Sequence, residues 1–264
     1  GPEDAENPDR VDADLADQPR LVIVILAAHL VQPRENPVAL GHRGVGLARH
    51  EQDARFRPLA LPFQRPGKLI AACVGRQHLE GNRLTLVRED LSGLPDALAK
   101  EHLSPTIAAD LLPSVFVQSD HPKIQALAAQ LADPGDAPLA NLRRMVDWMQ
   151  TNIEKRPVLS LPDALTTLDK RMGDCNEHAV LMAALARAAG YPAQVEAGLV
   201  YQDGRFFYHA WNRIYIGRWI TVDALFGQIP ADVTHIRFAR GSAHEQLDIL
   251  PLLGKLQIRI LETK

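Results

Sequence analysis

The sequence predicts an α+β fold in which helices pack on an antiparallel β-sheet and a cysteine stands at the N-terminus of the central helix. Three observations carry that expectation. Residues 171–192, "RMGDCNEHAVLMAALARAAGYP", read as a helix apolar on nearly every side, and such a helix must be buried among other elements. The segments after it, "PAQVEAGLVY", "RFFYHAWNRIYI" and Trp219 to Asp223, alternate as strands do, and Asp203-Gly204 between the first two is a strong hairpin signal. A hydrophobic fraction of 46% over 264 residues is enough for a real core.

The totals exclude several function classes. A formal charge of -3 and a pI near 6.4 give no field that would gather nucleic acid or an anionic membrane. Cys73 and Cys175 are too few for a disulfide framework and are read as free thiols. The strongest apolar run, Leu21 to Val31, is shorter than the roughly 18 residues of a spanning helix, so no membrane span is expected. Its upstream flank is acidic (Asp9, Asp12, Asp14, Asp17) where a secretory signal carries bases, and the cytoplasm is the expected compartment. Position 1 is Gly and the first Met is Met145, which reads as a processed or truncated product.

Along the chain, residues 1–81 offer no clear face to bury, being acidic at first and then a mixture of Arg, His, Pro and Gly from residue 33 onward. Disorder or loose structure is expected there. "NRLTLVRED" from Asn82 alternates as a strand, and Pro105, Pro113 and Pro122 punctuate an extended lead-in over 82–119. The catalytic domain is expected over 120–264. A helix over roughly 123–132 puts Ile124, Leu127, Ala128 and Leu131 on one face, and a second after "DPGDAP" repeats Leu142, Met145, Val146, Met149 and Ile153 at helical spacing. "SLPDALTTL" offers Ser160 as cap and Pro162 in the first turn of a short helix leading to Gly173. Near the end, Ser242 with Glu245 forms a capping box for a helix carrying Leu247 and Leu250, and "KLQIRILE" alternates as a final strand.

Asp174 followed by Glu177 is an acidic variant of the capping box. It makes Cys175 the first helical residue and sets its sulfur beside unpaired N-H groups and the positive dipole end, where a thiolate is favoured. A free cysteine is most often a small buried hydrophobe, and the two adjacent carboxylates raise a thiol's pKa. An activating base is therefore needed. His209 lies in the middle of the second strand and Asp223 at the end of the third. Cys, His and Asp in that order, one on a helix tip and two on adjacent strands, make a constellation for thiol acyl transfer.

Register tests the constellation. With Gly217-Arg218 as a plain two-residue turn, Asp223 would face Asn212 and point away from His209. With a three-residue loop over Ile216 to Arg218, Tyr215 meets Trp219 and Asp223 lies opposite Trp211, on the face that carries His209. The second register is predicted. Trp211, Tyr208 and Trp219 are candidate walls of a substrate cleft, although aromatic strand residues are more often core.

On these residues the sequence resembles the transglutaminase-like superfamily, the papain-like group of transglutaminases, peptide N-glycanases and many bacterial cysteine peptidases. The blocks that carry the resemblance are "RMGDCNEHAVLMAALARAAGYPAQV", "FYHAWNRIYIGRWITVD" and "DALFGQIPADVTHI", within roughly residues 120–250. It implies a papain-like core with Cys175 as nucleophile, His209 as general base and acid, and Asp223 as the orienter of the imidazole; the substrate class is not inherited from it, and a protein or peptide substrate is the expectation. The chain departs from the pattern at Asp223-Ala224, where many members read Asp-Pro, and at Asn176, where animal transglutaminases carry Trp. No EF-hand loop and no paired Cys-x-x-Cys element is present, so no metal and no cofactor is expected.

Two rival readings remain. Cys175, His178, His209 and Asp223 could be drawn together as a metal site, because residues at i and i+3 share a helix face. Alternatively, the chain is a non-catalytic binding module that retains the fold. His235 and His244 read as surface residues, and His121 before Pro122 as a turn residue.

Overall fold

The computed structural model describes residues 20–26, 75–158, 161–241 and 257–263. The expectations for residues 1–19 and 27–74, for Cys73, for Ser160 and for the helix after Ser242 with His244 lie outside the described residues. The architecture is α+β, as the pattern predicts. Two four-stranded antiparallel sheets accompany a group of helices around the long apolar one.

In chain order the strands and main helices are β1 (Arg20–Leu26), β2 (Gln77–Glu80), β3 (Arg83–Val87), α1 (Pro105–Ala108), α2 (Pro122–Leu131), α3 (Pro138–Asn152), β4 (Glu154–Lys155), α4 (Ala164–Lys170), β5 (Met172–Gly173), α5 (Cys175–Ala188), β6 (Ala193–Gln202), β7 (Arg205–Tyr215), β8 (Trp219–Val222), β9 (His235–Arg240) and β10 (Gln257–Thr263). Helix α2 fills the expected span, and His121 caps it by accepting the Lys123 N-H on Nδ1. Helix α4 begins later than its sequence reading. Asp163 is the N-cap, accepting the Thr166 N-H at 2.8 Å, so the helix starts after Pro162 and not with it.

Helix α5 is the centre of the molecule. Every residue from Glu177 to Ala186 is buried, and burying a Leu or Met side chain of this kind contributes about 1.5–3 kcal/mol. It ends where Gly190 adopts a left-handed φ of 87° and the Tyr191 N-H returns to the Ala186 carbonyl. Asn212 of β7, fully buried, donates from Nδ2 to the Ala179 carbonyl at 2.9 Å, tying the sheet to the helix backbone.

The sheet beside α5 has the order β8-β7-β6-β9. Strand β9 is absent from the sequence reading, which took His235 for a surface residue. It returns beside β6, where the bare Cα of Gly198 admits it, because a Cβ there would meet the Ile236 carbonyl oxygen at 1.9 Å. Ala193, Val195, Ala210 and Ile214 join the core built around α5, while Ala197 and Leu199 pack with Leu21, Ile23, Leu84 and Leu86 of the second sheet. That sheet has the order β10-β1-β3-β2. Residues 20–26 and 77–80, within the stretch expected to be loose, are therefore strands, because the apolar residues of β1 are covered by partners far away in sequence.

The register of β7 on β8 follows the three-residue loop. Tyr215 pairs with Trp219 and Asn212 with Val222, and the Ile216 N-H bonds the Arg218 carbonyl. Asp223 follows Val222 and so falls opposite Trp211 on the His209 face.

Candidate active site

Cys175 opens α5 because Asp174 and Glu177 form a reciprocal capping box. Asp174 accepts the Asn176 N-H at 3.0 Å, and Glu177 reaches back to the Asp174 N-H at 3.1 Å. With the His178 N-H bonded to the Asp174 carbonyl, the Cys175 N-H has no partner among the described residues. The sulfur meets the backbone N-H of Ala210 on β7. Strand β8 pairs only with residues 212–215, so β7 is open on that side at Ala210. Backbone N-H groups lie in the plane of a sheet, and a sulfur held by one sits at the sheet's edge. Helix α5 thereby presents its first residue to the strand that carries His209, one position before Ala210.

That imidazole belongs to His209. Its Nε2 bonds Asp223 Oδ2 at 2.6 Å, with both side chains buried. Its ring lies between Phe226, stacked at 4.6 Å, and Trp211, stacked at 6.0 Å. The second oxygen of Asp223 accepts the Phe226 N-H at 2.9 Å, so the turn after β8 fixes both carboxylate and covering ring. Because the carboxylate takes the Nε2 proton, Nδ1 is left with the lone pair.

The electrostatics separate the two partners. Burial pushes the Cys175 thiol up to about 12, with the Asp174 charge adding to it and the Ala210 N-H opposing it. Desolvation outweighs the helix terminus, Cys175 being only 8% exposed, so the sulfur depends on the activating base that its two carboxylate neighbours call for. Burial also works against a charged Asp223, but the hydrogen bonds from His209 and His235 hold it well below the usual carboxylate range.

His235, expected at the surface, is 1% exposed. It is the residue the sequence reading missed. Its Nε2 bonds Asp223 Oδ2 at 2.9 Å and its Nδ1 faces Asp232 Oδ1 at 3.1 Å. The signal for it in the sequence was Asp232 three residues ahead, beyond a proline turn. His209, Asp223 and His235 are the group of donors among the described residues that could hold an ion; Cys175 and His178 do not join them. Both Nε2 atoms address one carboxylate oxygen, so their protons, not lone pairs, occupy the centre. His178 is buried with Nδ1 on the Asp174 carbonyl.

The three aromatic candidates separate. Tyr208 is at the site, its hydroxyl donating to Asn176 Oδ1 at 2.9 Å beside Cys175. Trp211 is 2% exposed and donates from Nε1 to Glu196 at 2.9 Å, which makes it packing behind His209 and not a cleft wall. Trp219 lies under the Arg213 guanidinium and lines, with Trp211, a small cavity of about 60 Å³ that Cys175 does not border. No helix among the described residues is long and apolar enough to cross a membrane.

Comparison with known proteins gives the same frame. Residues 125–224 match the family model of the transglutaminase-like superfamily. A solved structure from Cytophaga hutchinsonii, described as a "Putative Cysteine Protease", is 23% identical with a TM-score of 0.56, over 69% of this chain and 66% of that one. The periplasmic domain of TgpA from Pseudomonas aeruginosa is 23% identical with a TM-score of 0.40, over 55% of this chain and 53% of that one. The chain thus spans less than two thirds of either. No curated protein matches it.

Proposed function

Residues 125–224 match the family model of the transglutaminase-like superfamily, and from that likeness we propose that the protein is a thiol-dependent acyltransferase acting on amide bonds, with Cys175, His209 and Asp223 as its triad. The observation that carries the reading is the buried 2.6 Å contact of His209 with Asp223 on the strand whose next residue, Ala210, holds the Cys175 sulfur.

The chemistry follows from the charges. A thiol pushed up to about 12 is neutral near pH 7, so the proton passes to His209 Nδ1 as the sulfur attacks the amide carbonyl. Asp223 stabilises the imidazolium that forms. The unpartnered Cys175 N-H is the first donor to the tetrahedral oxyanion. His209 then returns its proton to the leaving amine, giving a thioester, and water or a second amine resolves it. Hydrolysis, as in a peptidase or amidase acting on a protein or peptide substrate, is favoured over cross-linking as the reading of this site.

A series of quenched peptides and glutamine donors, assayed with wild type beside Cys175→Ala, tests this. Turnover by wild type and a fall of about 10³-fold or more in the variant is expected; turnover that survives in Cys175→Ala would end the proposal. The buried, neutral thiol favours one second reading, a binding module with a residual triad. A thiol probe that leaves Cys175 unlabelled near neutral pH in the folded protein would support it.

A further inference from the structure

Asp223 is shared. Its Oδ2 accepts His209 Nε2 at 2.6 Å and His235 Nε2 at 2.9 Å, while the other ring nitrogen of His235 stands 3.1 Å from Asp232 Oδ1. The His235 side chain is fully buried. A neutral imidazole has one N-H and one lone pair, so in that form His235, whose side chain is buried while that of Asp232 is 43% exposed, would turn a lone pair on one of its two carboxylates. Protonated on both nitrogens, it satisfies both carboxylates at once. We propose that His235 is a positioning residue of the active site, held as an imidazolium between Asp223 and Asp232, where it fixes the carboxylate that in turn orients His209. This rests on the triad reading above.

The groups around His235 agree on the sign. Burial opposes its charge, and the hydrogen bonds and charges of Asp223 and Asp232 outweigh that and raise its pKa. Asp232 is itself held in place, its Oδ1 accepting the Thr234 N-H at 2.9 Å and its Oδ2 the Gln228 amide at 2.9 Å. On the other side, the cavity that His235 borders carries Arg76, Arg213, Arg237 and Arg240 with Glu89 and Glu196. Arg237 and Arg240 are paired with Glu196, and Arg76 bonds the Ala231 and Asp232 carbonyls. Trp211 and Phe226 meet the ring edge-on.

The consequence is felt at His209, whose ring centre is 5.4 Å from that of His235. With His235 on one oxygen and the Phe226 N-H on the other, Asp223 is left a single orientation, and that orientation sets the direction of the His209 Nε2 hydrogen bond.

Ring ¹⁵N-¹H NMR of the full chain tests the proposal without any substrate. Wild type is expected to show both nitrogens of His235 protonated at pH 7. In His235→Gln, which keeps a neutral donor toward Asp223 but loses the tie to Asp232, the hydrogen-bonded Nε2 proton resonance of His209 should be lost to exchange with water. Alkylation of Cys175 by iodoacetamide should slow with it. Asp232→Asn is the second variant, in which His235 should lose its proton at lower pH than in wild type. A neutral His235 at pH 7 in wild type, or a His209 Nε2 proton resonance unchanged in folded His235→Gln, would overturn the proposal. An unreactive Cys175 with the NMR shifts intact would instead count against the acyl-transfer reading alone.

Discussion

A Cβ on Gly173 would stand 2.2 Å from the Cβ of Glu177 and 2.7 Å from its Cγ. The stem of Glu177 runs over bare backbone on its way to the Asp174 N-H, so the glycine is what lets the capping box close beneath Cys175. Gly173→Ala must push the stem aside. We expect a loss of about 1–3 kcal/mol of stability and a larger proportional loss of kcat/KM, since the sulfur moves with the first turn. Thermal melts beside turnover measurements check this, and a variant with wild-type values for both would show that the turn yields freely.

Asp223→Asn replaces an oxygen that accepts two imidazole N-H groups by an amide that can accept only on one side. If the triad operates, kcat should fall by about 10⁴-fold, as expected when an orienting carboxylate is neutralised. Stability should fall by about 3 kcal/mol, because the charge on His235 loses a buried partner. Chemical denaturation and single-turnover kinetics read the two losses separately. An active, fully stable Asp223→Asn would contradict the assignment of both histidines.

His209→Ala should slow iodoacetamide alkylation of Cys175 at pH 7 by about 10²-fold or more, because burial alone leaves the thiol neutral. In that variant the rate should climb steadily as pH rises above 9. Mass spectrometry of the alkylated peptide gives the rates, and equal rates in the two proteins would mean that the thiol ionises without the imidazole.

Burial, with the Asp174 side chain, pushes the Glu177 carboxyl up to about 7. The folded state therefore holds this proton more tightly than the unfolded chain, whose glutamates titrate near 4.3. The stability linked to it is complete below about pH 4 and is lost as pH rises toward 7. Glu177→Gln keeps an acceptor for the Asp174 N-H and carries no charge, so its Tm advantage over wild type should grow between pH 5 and pH 8. A difference independent of pH would refute the shift.

Trp211→Phe should lower Tm and leave KM unchanged. The indole N-H is one of the donors on the buried Glu196 carboxylate, and removing one such donor costs about 1–3 kcal/mol. A KM raised several-fold with an unchanged Tm would restore Trp211 to the substrate surface.

The centre of this site was legible in the sequence because its signals are local. The acidic capping box, the apolar body of α5 and the Asp203-Gly204 hairpin each lie within a few residues, and the short loop at Ile216 to Arg218 set the register that puts Asp223 with His209. What escaped depends on distant partners. His235 follows a loop that looks exposed, and only the approach of β9 to β6 across Gly198 buries it. Strand β1 lacked a neighbour in sequence to reveal its sheet. The thiol's pKa escaped for a different reason: the carboxylates and the helix dipole are visible in the residues, whereas the desolvation that dominates them belongs to the packed fold.

Strand β1 runs between β3 and β10, so residues 20–26 complete their pairing only with residues 257–263. A contact spanning that much chain is slow to find and forms late. During synthesis, residues 20–26 must wait for residues 257–263, leaving one edge of a hydrophobic ribbon open until that distant segment has emerged. The α5 core needs no such delay, which makes the second sheet the step at which a nascent chain is most exposed to self-association.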